Sequence, residues 1–241
     1  MDRGPGTTPE NLSRQHCWPG SANPRGPVRL GAANISVVST YETTDRTRLR
    51  RHAERGTYDR DVVHAILDEA PIAHVSAVTS AGPMVLPMAF ARIDESIYLH
   101  GAAANALLRA IADGAPCCIT VTLLDGLVLA RSEFHHSMNF RCVVIQGVGE
   151  RVVDPEEKVA MSAALVDHLV PGRSSATRSP TDIELRSTIA VRVPLVEVSA
   201  KVRTGPPIDD ADDLDRDVWA GVIPVAWVRG TGVRHEPSDP E

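Results

Sequence analysis

The chain has 241 residues, 43% of them hydrophobic, and a formal net charge of -6. That length suits one or two domains, and the apolar fraction supplies a sizeable core, which excludes global disorder. The acidic balance excludes a general nucleic-acid binder, and no apolar run reaches the ~18 residues of a membrane span.

The N-terminus lacks the apolar core of a secretory signal. Cys117 and Cys118 sit in one apolar run, Cys142 in another, and Cys17 stands alone. This fits buried thiols in a reducing cytoplasm rather than a disulfide framework or a zinc site.

In chain order, residues 1–40 hold Pro5, Pro9, Pro19, Pro24 and Pro27 and no sustained periodicity. They are expected to be a disordered extension; Val38 opens Val-Ser-Thr-Tyr-Glu, which would suit a natural start. The folded domain is expected over 41–232 and a disordered tail over 233–241. Arg46, Arg48, Arg50, Arg51 and Arg55 form a basic stretch. It reads either as a solvated arm or as help in holding an anionic cofactor or a partner subunit. Asp59 caps a helix with Val62, Val63, Ile66 and Leu67 on one face, ended by Pro71.

Strand patterns follow. Ile72–Val78 and Met84–Ala91 flank the turn Ser80-Ala81-Gly82-Pro83 as a hairpin, and Ser96–His100 is a third strand. Asn105–Ala112 is a short helix ending at Gly114. Cys117–Leu124 and Leu127–Glu133 read as two strands joined by a tight turn at Asp125-Gly126. Phe140–Val153 is a long strand with possible bulges at Gly147 and Gly149. Asp154-Pro155-Glu156-Glu157 opens a helix to about Val170, and Thr181–Ser187 another. Strands at Ile189–Arg203 and Trp219–Val228 close the chain, separated by an acidic loop, Asp209–Asp217. Many strands with few short helices imply a mainly β, antiparallel barrel with peripheral helices.

Two stretches carry the chemistry. Pro87, within Val85-Leu86-Pro87-Met88-Ala89-Phe90, cannot donate to a ladder, so its strand is an edge, a bulge, or faces something other than backbone. Leu99-His100-Gly101-Ala102-Ala103-Ala104-Asn105 runs from strand to helix through small residues, which would let amides approach an anion. On the residues alone, an ordinary barrel edge and a plain strand-to-helix turn are the favoured explanation of both.

The order of these pieces, with Thr122–Arg131, Phe134–Arg141, Lys201-Val-Arg-Thr-Gly-Pro-Pro207 and Val218-Trp-Ala-Gly221, resembles the FMN-binding split barrel over roughly 46–229. It is similar to the pyridoxamine 5'-phosphate oxidase-like family, near the nitroimidazole-resistance branch. The resemblance implies a homodimer with FMN at its interface, the ring against Pro87, Met88 and Ala89, and the phosphate near His100, Gly101, Ala102 and Asn105. His136, Ser137, Asn139 and Arg141 would contact flavin or substrate.

The chain departs from the oxidase pattern where Ala104-Asn105-Ala106 replaces an Arg-Lys pair, so vitamin B6 oxidation is not expected. Arg109 and Arg141 are then the candidate phosphate cations. His100 is the candidate proton donor. The implied activity is FMN-dependent reduction of a small electron-poor molecule, a nitroaromatic or a quinone. The alternative is a non-enzymatic flavin, haem or deazaflavin binder on the same barrel. No metal site is expected.

Overall fold

The computed structural model describes residues 39–235. Of the extension expected over 1–40 only residues 39 and 40, and of the tail expected over 233–241 only residues 233–235, are described.

An arm leads through a short helical turn, Ala53–Arg55, into β1 (Gly56–Thr57). Helix α1 (Arg60–Glu69) begins where Asp59 accepts the Val62 amide at 3.0 Å, and it buries Val63, Ile66 and Leu67. That i, i+3, i+4 spacing is one helical stripe. β2 (Ala73–Thr79) and β3 (Gly82–Met88) form the expected hairpin, with Gly82 at φ +107, a conformation L side chains resist.

The strand expected over Met84–Ala91 is two. The chain turns a corner at Ala89 and enters β4 (Phe90–Ile93) in a second sheet. Phe90 and Ala91 are both buried, in different apolar clusters, so β4 is covered on both faces and shows no alternation to mark the break. β5 (Ser96–Ala102) follows, then α2 (Ala106–Ala112), whose cap Asn105 accepts the Leu108 amide at 3.0 Å.

Instead of a hairpin at Asp125-Gly126, the chain forms one long strand, β6 (Pro116–Leu129), with a register shift between Leu124 and Gly126. Both edges of β6 are already taken, by β7 (Ser137–Val148) on one side and by β2 and residues 221–224 on the other. The strand expected over Phe140–Val153 likewise breaks at Gly149, after which β8 (Glu150–Arg151) joins the second sheet. A Cβ at Gly149 would lie 2.4 Å from Ile111 and 2.6 Å from Val191, so the corner admits only glycine without rearrangement.

Helices α3 (Pro155–Leu169) and α4 (Asp182–Ser187) stand where expected. The final long strand splits at Leu195-Val196 into β9 (Thr188–Pro194) and β10 (Glu197–Arg203), one in each sheet. β11 (Gly221–Pro224) pairs β6.

The result is a seven-stranded sheet, β1-β10-β7-β6-β2-β3 with β11 on β6, and a four-stranded sheet, β4-β5-β9-β8, antiparallel throughout. Ile97, Leu99, Ile119, Val121, Val143, Ile145, Val191 and Val193 fill the space between them, joined by Ile66 from α1 and Leu107, Leu108 and Ile111 from α2. This is a split β-barrel. Pro87 lies on β3, at the edge of the larger sheet, where its missing N–H costs no ladder bond. Helix α3 packs outside the smaller sheet through Met161 and Leu165, against Ala91, Tyr98 and Ala190. Among the described residues, no helix is long and apolar enough to cross a membrane.

Candidate functional site

Helix α3 buries Met161 and Leu165 against the sheet, so helical periodicity turns Val159, Ser162, Ala163 and Val166 toward the other side. There, the 174–180 segment and α4 face them across a groove of about 480 Å³. His100, from β5, and Thr188, from β9, line it as well.

Local bonds hold these walls. Asp167 accepts the Ser174 amide and hydroxyl, each at 2.7 Å, clasping the turn to α3. Helix α4 has only six residues, too few to persist on propensity alone. Thr181 and Glu184 close a capping box at its start, and Arg178 holds Glu184 at 2.7 and 2.8 Å. At its end, Lys158 Nζ donates to the carbonyls of Leu185 and Thr188, both at 3.0 Å.

His100 is the distinctive group in this groove. His52, His64, His135, His136 and His168 each have a hydrogen-bond partner, whereas His100, like the exposed His74 and His235, has none among the described residues. Its ring is open to the groove, yet surrounding protein desolvates it enough to lower its pKa below the ordinary 6.5. Desolvation penalises the imidazolium. Burial thus favours the neutral ring, which lines a cavity walled also by Val159, Val166 and Leu185. Lys158 supplies positive charge along the same walls, whereas Arg178 is matched by Glu184. Such a groove can hold a planar, largely apolar ligand with acidic substituents, and it offers one nitrogen donor.

The other residues expected at a flavin site lie elsewhere. Pro87 is exposed on β3, Met88 is half-buried, and Ala89 is the corner. Gly101 makes room for α2, since a Cβ there would stand 2.9 Å from Leu108 Cδ1. Ala102 pairs Thr188, and Asn105 caps α2. The loop amides of Ala103 and Asn105 donate to the Ser187 and Ala102 carbonyls, so the loop does not present a row of free donors. Arg109 is exposed, with no ion-pair or hydrogen-bonding side-chain partner among the described residues.

At the start of β7, His136 Nδ1 lies 2.8 Å from the Ser132 carbonyl. Ser137 begins the strand, and Asn139 Oδ1 accepts from Arg203. The Arg141 guanidinium is held by Asp125 at 2.8 Å and by Glu69. It is thereby matched within its own chain and carries no spare charge for a phosphate. His135 lies in a helical turn, 3.0 Å from Asp210. Of the expected set, only His100 lines the groove. Lys158, Arg178 and Val166 line it too, and the 159, 162, 163, 166 spacing on α3 is the sequence signal for that wall.

The family model described as pyridoxamine 5'-phosphate oxidase matches residues 59–202. No curated protein matches the chain. Among solved structures, the flavocytochrome Anf3 from Azotobacter vinelandii is 38% identical, covers 81% of this chain and 90% of its own, with a TM-score of 0.72. The FAD and heme binding protein from Mycobacterium smegmatis is 33% identical, covers 75% and 89%, with a TM-score of 0.71. A 5-nitroimidazole antibiotic resistance protein from Bacteroides thetaiotaomicron shares the fold, at 24% identity, 61% and 86% coverage and a TM-score of 0.52.

Proposed function

Because the chain belongs to the pyridoxamine 5'-phosphate oxidase family, we propose that it is a flavin-binding redox protein whose His100 groove holds a haem. The observation that carries the haem is the unpartnered, neutral imidazole of His100, open to a groove of about 480 Å³. That volume falls within the ~300–1,000 Å³ of ligand sites. Two relatives above 30% identity, a flavocytochrome and an FAD and heme binding protein, support the pairing of a flavin with a haem.

The residues present fit such a group. Neutral imidazole is a common iron ligand. Val159, Val166 and Leu185 would exclude water from the ring faces, and Lys158 would meet a carboxylate. Flavin and haem together supply two-electron and one-electron chemistry, which belongs to the cofactors. The chain supplies orientation, a donor nitrogen and a dry wall.

The earlier expectation, FMN-dependent reduction of a nitroaromatic or quinone with His100 as proton donor, is the second reading. The lowered pKa argues against it as the first: a mostly neutral imidazole is a poorer acid and a better ligand at pH 7. FAD is proposed over FMN, on the 33% relative and on the loop amides already bonded within the chain. Homodimerisation is part of the proposal. β3 leaves a sheet edge unpaired, with Val78 and Val85 exposed beside it.

Titration with haemin tests the haem reading. The intact protein is expected to take one haem per chain with a histidine-ligated spectrum. His100→Ala should bind it at least tenfold more weakly, with the ligated spectrum partly restored by added imidazole. Equal binding and an identical spectrum in His100→Ala would remove His100 as the ligand.

A further inference from the structure

A second cavity, of about 650 Å³, lies where the chain makes its last crossing of the fold. β11 ends at Pro224, which pairs Gly126 of β6. The Val225 amide then donates to the Asp125 carbonyl at 3.1 Å. Four residues on, Arg229 Nη2 donates to the carbonyl of Leu169, the last residue of α3, at 3.0 Å. Residues 225–229 thereby bridge β6 and α3 and form one wall. Pro71, just beyond α1, Leu123 and Leu124 of β6, and Leu169 form the apolar remainder.

The charged groups lining this cavity differ in how far their bonding is used. Arg141 donates to all four carboxylate oxygens of Glu69 and Asp125, at 2.8 Å to Glu69 Oε1 and Asp125 Oδ1 and at 3.0 Å to Asp125 Oδ2. Each of those oxygens already has a cationic donor, so an entering cation would compete with Arg141. Arg229 is the reverse case. It bonds a neutral carbonyl, no carboxylate among the described residues lies within ion-pair distance, and most of its five N–H donors are left over. The spare capacity of the cavity is therefore for an acceptor with negative charge.

Its apolar groups are spare too. Trp227 lines the cavity although it is 74% exposed, and Val228 beside it is 85% exposed. Large apolar side chains left open around a concave site mark a place where a ligand is received.

We propose that this cavity binds an aromatic monocarboxylate, its ring against Trp227 and the leucines and its carboxylate on Arg229. A guanidinium takes a carboxylate through paired, planar hydrogen bonds, and indole offers a face for a second ring. One negative charge answers the one spare cation. Glu69, Asp125 and Arg141 together carry a net charge of about -1, which disfavours a dianion. No residue lines both this cavity and the His100 groove, so the inference stands apart from the flavin and haem reading.

The test titrates the full chain, with whatever cofactor it carries, calorimetrically with 2-naphthoate, 2-naphthalenemethanol and 2-naphthylmethylammonium. Naphthoate is expected to bind at least tenfold more tightly than the alcohol, and the ammonium not to bind. Arg229→Gln should weaken naphthoate about tenfold and leave the alcohol unchanged, whereas Trp227→Ala should weaken both. Both residues are exposed, so neither variant should shift the melting temperature. No naphthoate binding, equal binding of acid and alcohol, or naphthoate binding unchanged in either variant would overturn the proposal and leave Arg229 a cap for α3. Preference for the ammonium would overturn it as well, giving the cavity to cations held by Glu69 and Asp125. Absent naphthoate binding together with a sedimentation shift toward the monomer in Trp227→Glu would assign the face to a second copy of the chain instead.

Discussion

His100 couples the stability of the fold to pH. Its folded pKa, like that of His64, lies below the ordinary 6.5, in both cases chiefly through burial. The unfolded chain then binds more protons as pH falls below 6.5, so stability rises with pH through that window and levels off above it. Replacing His100 with Asn should flatten part of that rise, read as urea midpoints from about pH 5 to about pH 7. An unaltered slope would mean that the His100 pKa is not lowered. The sequence marked His100 out by its place at a strand end before small residues. It did not reveal that Asn105 is a helix cap or that Arg141 is matched internally, because both depend on partners that neighbour them only in space. Asn105→Ala should therefore cost about 1 kcal/mol of stability through loss of the cap, measured by denaturant unfolding.

Corners, rather than strands, were hard to read at the level of secondary structure. Capped helices announce themselves locally: Asp59, Asn105, Asp154 and Thr181 each accept an amide at a helix start. Strand breaks at Ala89 and Leu195 do not, because the apolar run continues across the bend while the chain changes sheets, and at Gly149 the glycine suggested only a bulge. Gly149 shows the cost. A methyl there meets Ile111 and Val191 below 3.0 Å, so Gly149→Ala should destabilise by about 1–3 kcal/mol through overpacking. Denaturant melts that superimpose would refute that packing. The groove wall depends on Lys158 as a cap for α4, so Lys158→Met should speed amide exchange across Asp182–Ser187 and leave the barrel strands protected.

For the whole molecule, the order of hairpin, corner strand, helix and paired strands was legible enough to suggest the family. The groove was not, since it assembles β5, α3, the 174–180 segment and α4 from distant stretches. The proposed dimer belongs to this level too. Val85→Glu, on the open edge strand, should shift sedimentation toward the monomer if that face is the interface. A dimer unaffected by the charge would place the interface elsewhere.

The most direct measurement is the visible spectrum of the protein purified without added cofactor, with released small molecules identified by mass. The expected result is a flavin band together with a haem Soret band, and release of FAD and haem in near-equal amounts to the chain. A colourless protein that takes up neither group when they are added would contradict the proposed function.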